Sequence, residues 1–155
     1  MDWFRGTPRM GYVPVMHHVA IMKPSWKLIP KILSGEKTIE SRWYQTRRAP
    51  WNGIAAGDVV YFKDSGKPVT AKAEVAEALQ FELRDLDDAR KIVAEYGKEI
   101  SLVNPDLATW GSVPRYAILI RLGNPQTIAP FEIDKRGFGS AAAWLAVGEI
   151  AKVRK

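Results

Sequence analysis

Lys37, Glu40 and Arg42 place an ammonium, a carboxylate and a guanidinium in one short run, "GEKTIESR" at residues 35–42. If residues 38–44 form a strand, Glu40 and Arg42 share a face with Thr38 and Tyr44, while Ile39, Ser41 and Trp43 take the other. Glu40 can then hold the guanidinium of Arg42 in one orientation, presenting a planar fork suited to a phosphate or a base edge. Lys37 faces the opposite side of an ideal strand and joins the pair only if the turn at Gly35 re-aims it. Two chemistries follow. The set can bind an anionic, flat ligand, or it can cleave RNA without a metal. In the second case Lys37 and Glu40 are the catalytic pair, moving protons with a burial-depressed lysine pKa, and Arg42 stabilises the developing charge. An exposed ion pair worth under about 1 kcal/mol is the plain alternative.

The following run, "WYQTRRAPW" (43–51), interleaves arginines with aromatic rings. Arg47 and Arg48 supply phosphate contacts, and Tyr44 and Trp51 supply exposed flat faces on which unpaired bases stack, at about 1–3 kcal/mol per base. Trp43 falls on the core side by strand phase. A second basic cluster, "DKRGFG" (134–139), brings Lys135, Arg136 and Phe138 together with two glycines. It forms either the far wall of the same groove or an ordinary hairpin. With Lys63, these residues make up the expected nucleic-acid-binding set: Lys37, Arg42, Tyr44, Arg47, Arg48, Trp51, Lys63, Lys135 and Arg136.

Other chemistries lack their residues. The chain has no cysteine, so disulfides, thiolate metal sites and cysteine nucleophiles are excluded together. His17 and His18 are its only histidines; adjacent in a strand, they point to opposite faces and cannot share a metal or act as a pair. His17 reads as structural. No glycine-rich phosphate loop of either common pattern occurs. No metal and no cofactor are expected. The net charge of +6 is unevenly spread: residues 1–72 carry 12 Lys/Arg against 5 Asp/Glu, residues 73–110 carry 4 against 9, and residues 111–155 carry 7 against 3. Folding that joins the basic ends opposite the acidic middle makes a field attracting phosphates. The expected partner is RNA or single-stranded nucleic acid, and the acidic 73–110 segment is a candidate docking face for a protein. No run reaches the ~18 apolar residues of a membrane helix, and the N-terminus lacks the apolar stretch of a signal peptide. No membrane partner and a cytoplasmic location are expected.

The elements that must position these residues are legible from pattern. Residues 1–15, punctuated by Gly6, Pro8, Gly11 and Pro14, read as a flexible N-terminal arm, and residues 16–155 as a single domain. "HHVAIMK" (17–23) reads as a strand, and "WKLIPKILSG" as a short helix that Gly35 ends. Strands are predicted over 37–44, 58–64, a long alternating stretch from Val69, and the near-continuous apolar run 115–122. Asp85 caps the best helix, closed at Gly97. Residues 103–114 read as loop, and the last residues as a short helix or strand. Five or six strands with two or three flanking helices and no regular crossovers predict an α+β fold, a small curved mixed β-sheet or barrel.

The run "LSGEKTIESRW", followed by "GIAAGDVVYFKDSGKPVTAKAEV", resembles the ASCH domain of the PUA-like superfamily. Gly35, Lys37, Glu40 and Arg42 match its approximate signature G-x-K-x-x-E-x-R, and Gly57 and Asp58 supply its G-D strand. The resemblance implies a small PUA-like β-barrel with a cleft beside these residues, and binding of RNA or single-stranded nucleic acid, with modified bases among the ligands of related domains. It also implies the enzymatic alternative. Relatives include ribonucleases and an amidohydrolase acting on acetylated cytidine, which keeps the lysine and arginine matching Lys37 and Arg42 and has a threonine in place of Glu40.

Overall fold

The computed structural model describes residues 2–5 and 14–155. Much of the predicted N-terminal arm, residue 1 and residues 6–13, lies outside the described residues. Within it, Asp2–Arg5 forms a strand, β1, paired antiparallel with residues 79–82. The remaining strands are β2 (His17–Met22), β3 (Ile39–Tyr44), β4 (Val59–Asp64), β5 (Val69–Glu82), β6 (Tyr116–Phe131) and β7 (Trp144–Gly148). Two α-helices, α1 (Leu28–Ser34) and α2 (Leu86–Ile100), flank them.

The sheet runs in the order β3-β6-β5-β4-β2-β7, with β1 on β5. It is mixed, because β2 lies parallel to β4 and the other pairs are antiparallel. Register shifts along β5 and β6 between Val69 and Ala71, Lys72 and Glu74, and Val75 and Glu77 bend these long strands and curl the sheet. The ends of the curl approach each other. Arg42 on β3 donates to the carbonyl of Ala143, next to β7, at 3.1 Å, and to that of Ile21 on β2 at 3.4 Å. The small, curved, mixed α+β sheet expected from the pattern is observed, curled into a half-barrel.

The core is divided by the sheet. One cluster, including Ile29, Ile32, Phe62, Ile118 and Ile120, fills the concave side under α1. A second packs Leu79, Phe81, Ile92 and Leu119 between sheet and α2. A third joins Val19, Leu145 and Phe131 at the far end. α2 starts as predicted, with Asp85 accepting the backbone N–H of Asp88 at 3.0 Å. It does not stop at Gly97. Ile100, 1% exposed in the second cluster, draws the helix on by burial, and Ser101 takes the left-handed position at φ 58. Tertiary packing has overridden a local stop signal.

α1 is a short helix for the predicted reason. Pro30 sits in its first turns, where a missing N–H costs little, and Gly35, at φ 84, ends it. The chain then doubles back: the N–H of Lys37 reaches the Lys31 carbonyl at 3.0 Å, and that of Thr38 reaches Glu99 at 2.9 Å. The residue after the turn is thereby pinned between the C-terminal ends of both helices.

Candidate functional site

That pinning decides where Lys37 points. Its ammonium is 2% exposed and donates to the carbonyls of Ile39 at 2.8 Å and Ile100 at 2.6 Å. It also lies 3.2 Å from Oε1 of Glu40. An ammonium has three protons, and all three are used. Ile100 is the last residue of α2, so Lys37 places a cation on an orphan carbonyl at the negative end of the helix dipole. The turn at Gly35 does re-aim the side chain.

Glu40 receives on both oxygens. Oε1 accepts from Lys37 and from the N–H of Ser41 at 3.0 Å, and Oε2 accepts from Arg42 at 3.1 Å. Burial penalises its charge, but the neighbouring Lys37 and Arg42 cations and their hydrogen bonds outweigh that, and its pKa falls below the usual glutamate value. The carboxylate is therefore ionised and fully occupied at neutral pH. Arg42 lies over the indole of Trp144, 5.2 Å from guanidinium carbon to ring centroid.

Behind this cluster runs a second buried path. Trp144 Nε1 can only donate, so His18 Nδ1, 3.1 Å away, accepts. The imidazole proton then sits on Nε2, facing Asp58 Oδ2 at 3.0 Å. Asp58 also accepts from the N–H groups of Ala55 and Met16. His17, on the other face of β2, accepts the Ile150 N–H at 2.9 Å, a structural role.

Three neighbouring lobes around β3 share lining residues. The first, about 410 Å³, opens on the Lys37 side and is walled by Trp26, Trp43 and Trp110, with Glu40 and Ser41 at its floor. Trp43 and Trp110 meet edge to face, centroids 5.1 Å apart. The second, about 630 Å³, lies on the Arg42 side and carries Lys23, Arg42 and Lys135. These lobes share Trp26, Leu28, Glu40, Ser41 and Trp43 as a common wall. The third, about 510 Å³, is lined by Tyr44, Arg48, Phe138 and the alanines 141–143, and meets the second through Tyr44 and those alanines.

The predicted residues distribute unevenly over this cleft. Lys37, Glu40, Arg42, Tyr44, Arg48 and Lys135 line it. Arg48 lies 5.5 Å over the Tyr44 ring, and the Tyr44 hydroxyl donates to the Ala49 carbonyl at 2.9 Å. Lys135 lines the second lobe with Arg42 and Tyr44, and Phe138 lines the third with Tyr44. Arg47 turns instead to Glu82, at 2.8 Å, and to the Tyr116 ring. Trp51, expected exposed, is half-buried against the main core and edge-on to Tyr116. Lys63 is half-buried on β4 and is not among the residues lining the cleft. Arg136, 92% exposed, is tied to Asp134, holding that carboxyl at about 2. Trp43, expected in the core, is half-buried and shared by two lobes.

Sequence reading missed Trp26, Trp110, Lys23 and Ser41. Trp110 stood in "VNPDLATWGSVP", among residues that favour turns, where a large ring has no strand or helix face to join; that was its signal. Trp26 looked like part of an apolar helix face, but it ends a 3-10 turn before α1 and is 44% exposed. Gln80 was also missed. Fully buried, it exchanges two hydrogen bonds with Asn52, at 2.6 and 2.8 Å, and so fixes the loop that carries Arg47 and Arg48.

Solved structures share this architecture. The ASCH structure from Zymomonas mobilis matches at TM-score 0.62 and 21% identity, over 84% of this chain and 87% of that chain. A tyrosine-to-phenylalanine variant of that protein matches at TM-score 0.64 and 20% identity, over 88% and 93%. The chain has the ASCH fold. No family profile and no curated protein matches the sequence. In this ASCH fold Lys37 lines the first lobe, Arg42 lines the second, and Glu40 between them belongs to both. Among the described residues no group of three or more histidines and carboxylates could hold a metal ion, and no helix is long and apolar enough to cross a membrane.

Proposed function

We propose that this chain binds single-stranded nucleic acid, RNA above all, in the cleft beside Lys37, Glu40 and Arg42. One observation carries the reading: a lobe walled by three tryptophans adjoins a lobe carrying three cations, with residues of β3 lining both. Rings hold an unstacked base, and the cations hold its phosphate. Within the signature, Lys37 and Arg42 together outweigh Glu40 by one positive charge, which favours a neutral base near a phosphate over a cationic ligand. A modified base fits the same lobe, since its walls are rings rather than a fixed set of hydrogen-bonding groups.

Binding stands ahead of catalysis on hydrogen-bond grounds. A proton-transfer role for Lys37 and Glu40 requires groups free to exchange protons. Here Lys37 gives every proton to an acceptor, and Glu40 is an ionised carboxylate with both oxygens engaged. The pair instead fixes β3 against α2 and sets the cleft wall. The test is anisotropy of a labelled single-stranded RNA titrated with protein over a salt series. Binding that weakens steeply with salt is expected; no binding to RNA or single-stranded DNA overturns the reading.

A further inference from the structure

We infer that the cleft is built for a dinucleotide step of a strand, two consecutive bases with the linking phosphate between them, and not for a lone nucleoside or nucleotide. The inference rests on the nucleic-acid reading and goes further, by assigning the third lobe.

The order of the lobes carries the argument. The tryptophan lobe and the Tyr44–Arg48–Phe138 lobe have no lining residue in common, and each shares a wall with the cationic lobe. The sequence along β3 is therefore rings, cations, rings. A base–phosphate–base unit has the same order. In the middle, Lys23, Arg42 and Lys135 face a single carboxylate, Glu40, whose oxygens already take Lys37 at 3.2 Å and Arg42 at 3.1 Å. A nucleoside alone leaves Lys23 and Lys135 without an anion, and a mononucleotide leaves one aromatic lobe empty.

The third lobe is suited to a base on its own chemistry. Arg48 sits over Tyr44 as a guanidinium–ring pair, and Phe138 lines the same space. Guanidinium planes and aromatic faces both stack on unpaired bases. The alanines 141–143 line both this lobe and the cationic one, and none carries a side chain beyond Cβ to fill the space between them. Lys135 donates to the Ser140 carbonyl at 2.8 Å, which ties its ammonium to the loop that carries those alanines.

The experiment is competition against a labelled single-stranded RNA of about twelve nucleotides. An equimolar mixture of dinucleoside monophosphates is compared with an equimolar mixture of nucleoside monophosphates. The second class carries more negative charge per molecule, so charge alone ranks it first. The two-base site ranks the dinucleotides first, by about 10-fold, which is about 1.4 kcal/mol, the scale of one stacked base. Arg48→Ala, at an exposed position, and Phe138→Ala each reduce the dinucleotide advantage. Equal competition by the two classes, with the labelled RNA still bound, overturns the two-base site and spares the nucleic-acid reading. No binding of the labelled RNA overturns both.

Discussion

Arg42 rests on the face of Trp144, whose Nε1 donates to His18, so two separate stretches of the chain are joined through one ring. From Lys37 the path runs through Glu40 and Arg42 to the indole, then through His18 to Asp58. "GEKTIESR" and the "GD" before β4 are separate in sequence, yet they form one buried polar unit. It closes the open side of the half-barrel and fixes the wall shared by two lobes. Trp144→Phe keeps a ring under Arg42 but removes the donor to His18 Nδ1. A buried acceptor left without its donor costs about 1–3 kcal/mol, so urea unfolding should register a loss of that size. RNA affinity should change little, because the ring beneath Arg42 remains. Unchanged stability in the phenylalanine variant would show that the path contributes nothing to the fold.

Lys37→Met leaves the Ile100 and Ile39 carbonyls without their donor and Glu40 short of one cation. Removing one partner of a buried ion pair costs about 3–5 kcal/mol. The expected result is a loss of about 3 kcal/mol in denaturant unfolding, with faster amide exchange in the last turn of α2, where Lys37 caps Ile100. Loss of RNA binding with stability and exchange unaltered would instead mark Lys37 as a ligand contact.

Glu40 makes stability depend on acid. Its folded pKa lies below the ordinary value of 4.5 because Lys37 and Arg42, with their hydrogen bonds, outweigh its burial. Between the two values the unfolded chain binds a proton that the folded one does not. The stabilisation is therefore complete above the unfolded pKa and declines as pH falls below about 4.5 toward the folded one. In Glu40→Gln the slope of unfolding free energy against pH in that window should flatten, measured by denaturant titration from neutral pH downward. An unaltered slope means that other carboxylates, such as Asp88, held at about 2 with Arg84 as its main partner, dominate the acid limb.

The strand carrying Glu40 and Arg42 was legible because alternation and spacing are local. Ile39 is buried as phase demands, and the Gly35 turn could be named before its φ was known; Glu40, on the other face, is buried by closure of the sheet around its ion pairs. What escaped was set by closure of the curled sheet. Trp43 obeys strand phase, but its side of β3 faces α2 at one end and the cleft at the other. Trp51 lies in a loop pinned by Gln80 from a distant strand, so its half-buried state depends on a pairing that no local window contains. Trp110 and Trp26 reach the same lobe from positions 84 residues apart, and only the folded sheet brings them together.

Arg48 and Arg47, neighbours in sequence, should behave differently toward RNA. Each phosphate contact on a single strand contributes about 0.7 to the slope of log affinity against log salt. Arg48 lines the cleft with no carboxylate partner among the described residues, so Arg48→Ala should make the slope shallower by about 0.7. Arg47 is held by Glu82 at 2.8 Å, so Arg47→Ala should change it less. Equal effects of the two would mean that Arg47 leaves Glu82 when RNA binds. Glu82→Gln would then raise affinity and leave the salt slope of the parent unchanged.

Trp110 gives the sharpest test of where the base sits. Its indole meets Trp43 edge to face and donates from Nε1 to the Asn104 carbonyl at 3.0 Å, so the ring is fixed before any ligand arrives. A preset ring loses little side-chain freedom on binding. Trp110→Ala should weaken single-stranded RNA binding about 10-fold, the scale of one stacked base. The salt slope should stay as in the parent, because no phosphate contact is lost. Trp110→Phe, which keeps a ring and loses only the donor, should recover most of the affinity. If alanine and phenylalanine bind alike, the first lobe takes no base. If alanine instead lowers the salt slope, the ring acts by positioning cations and not by stacking.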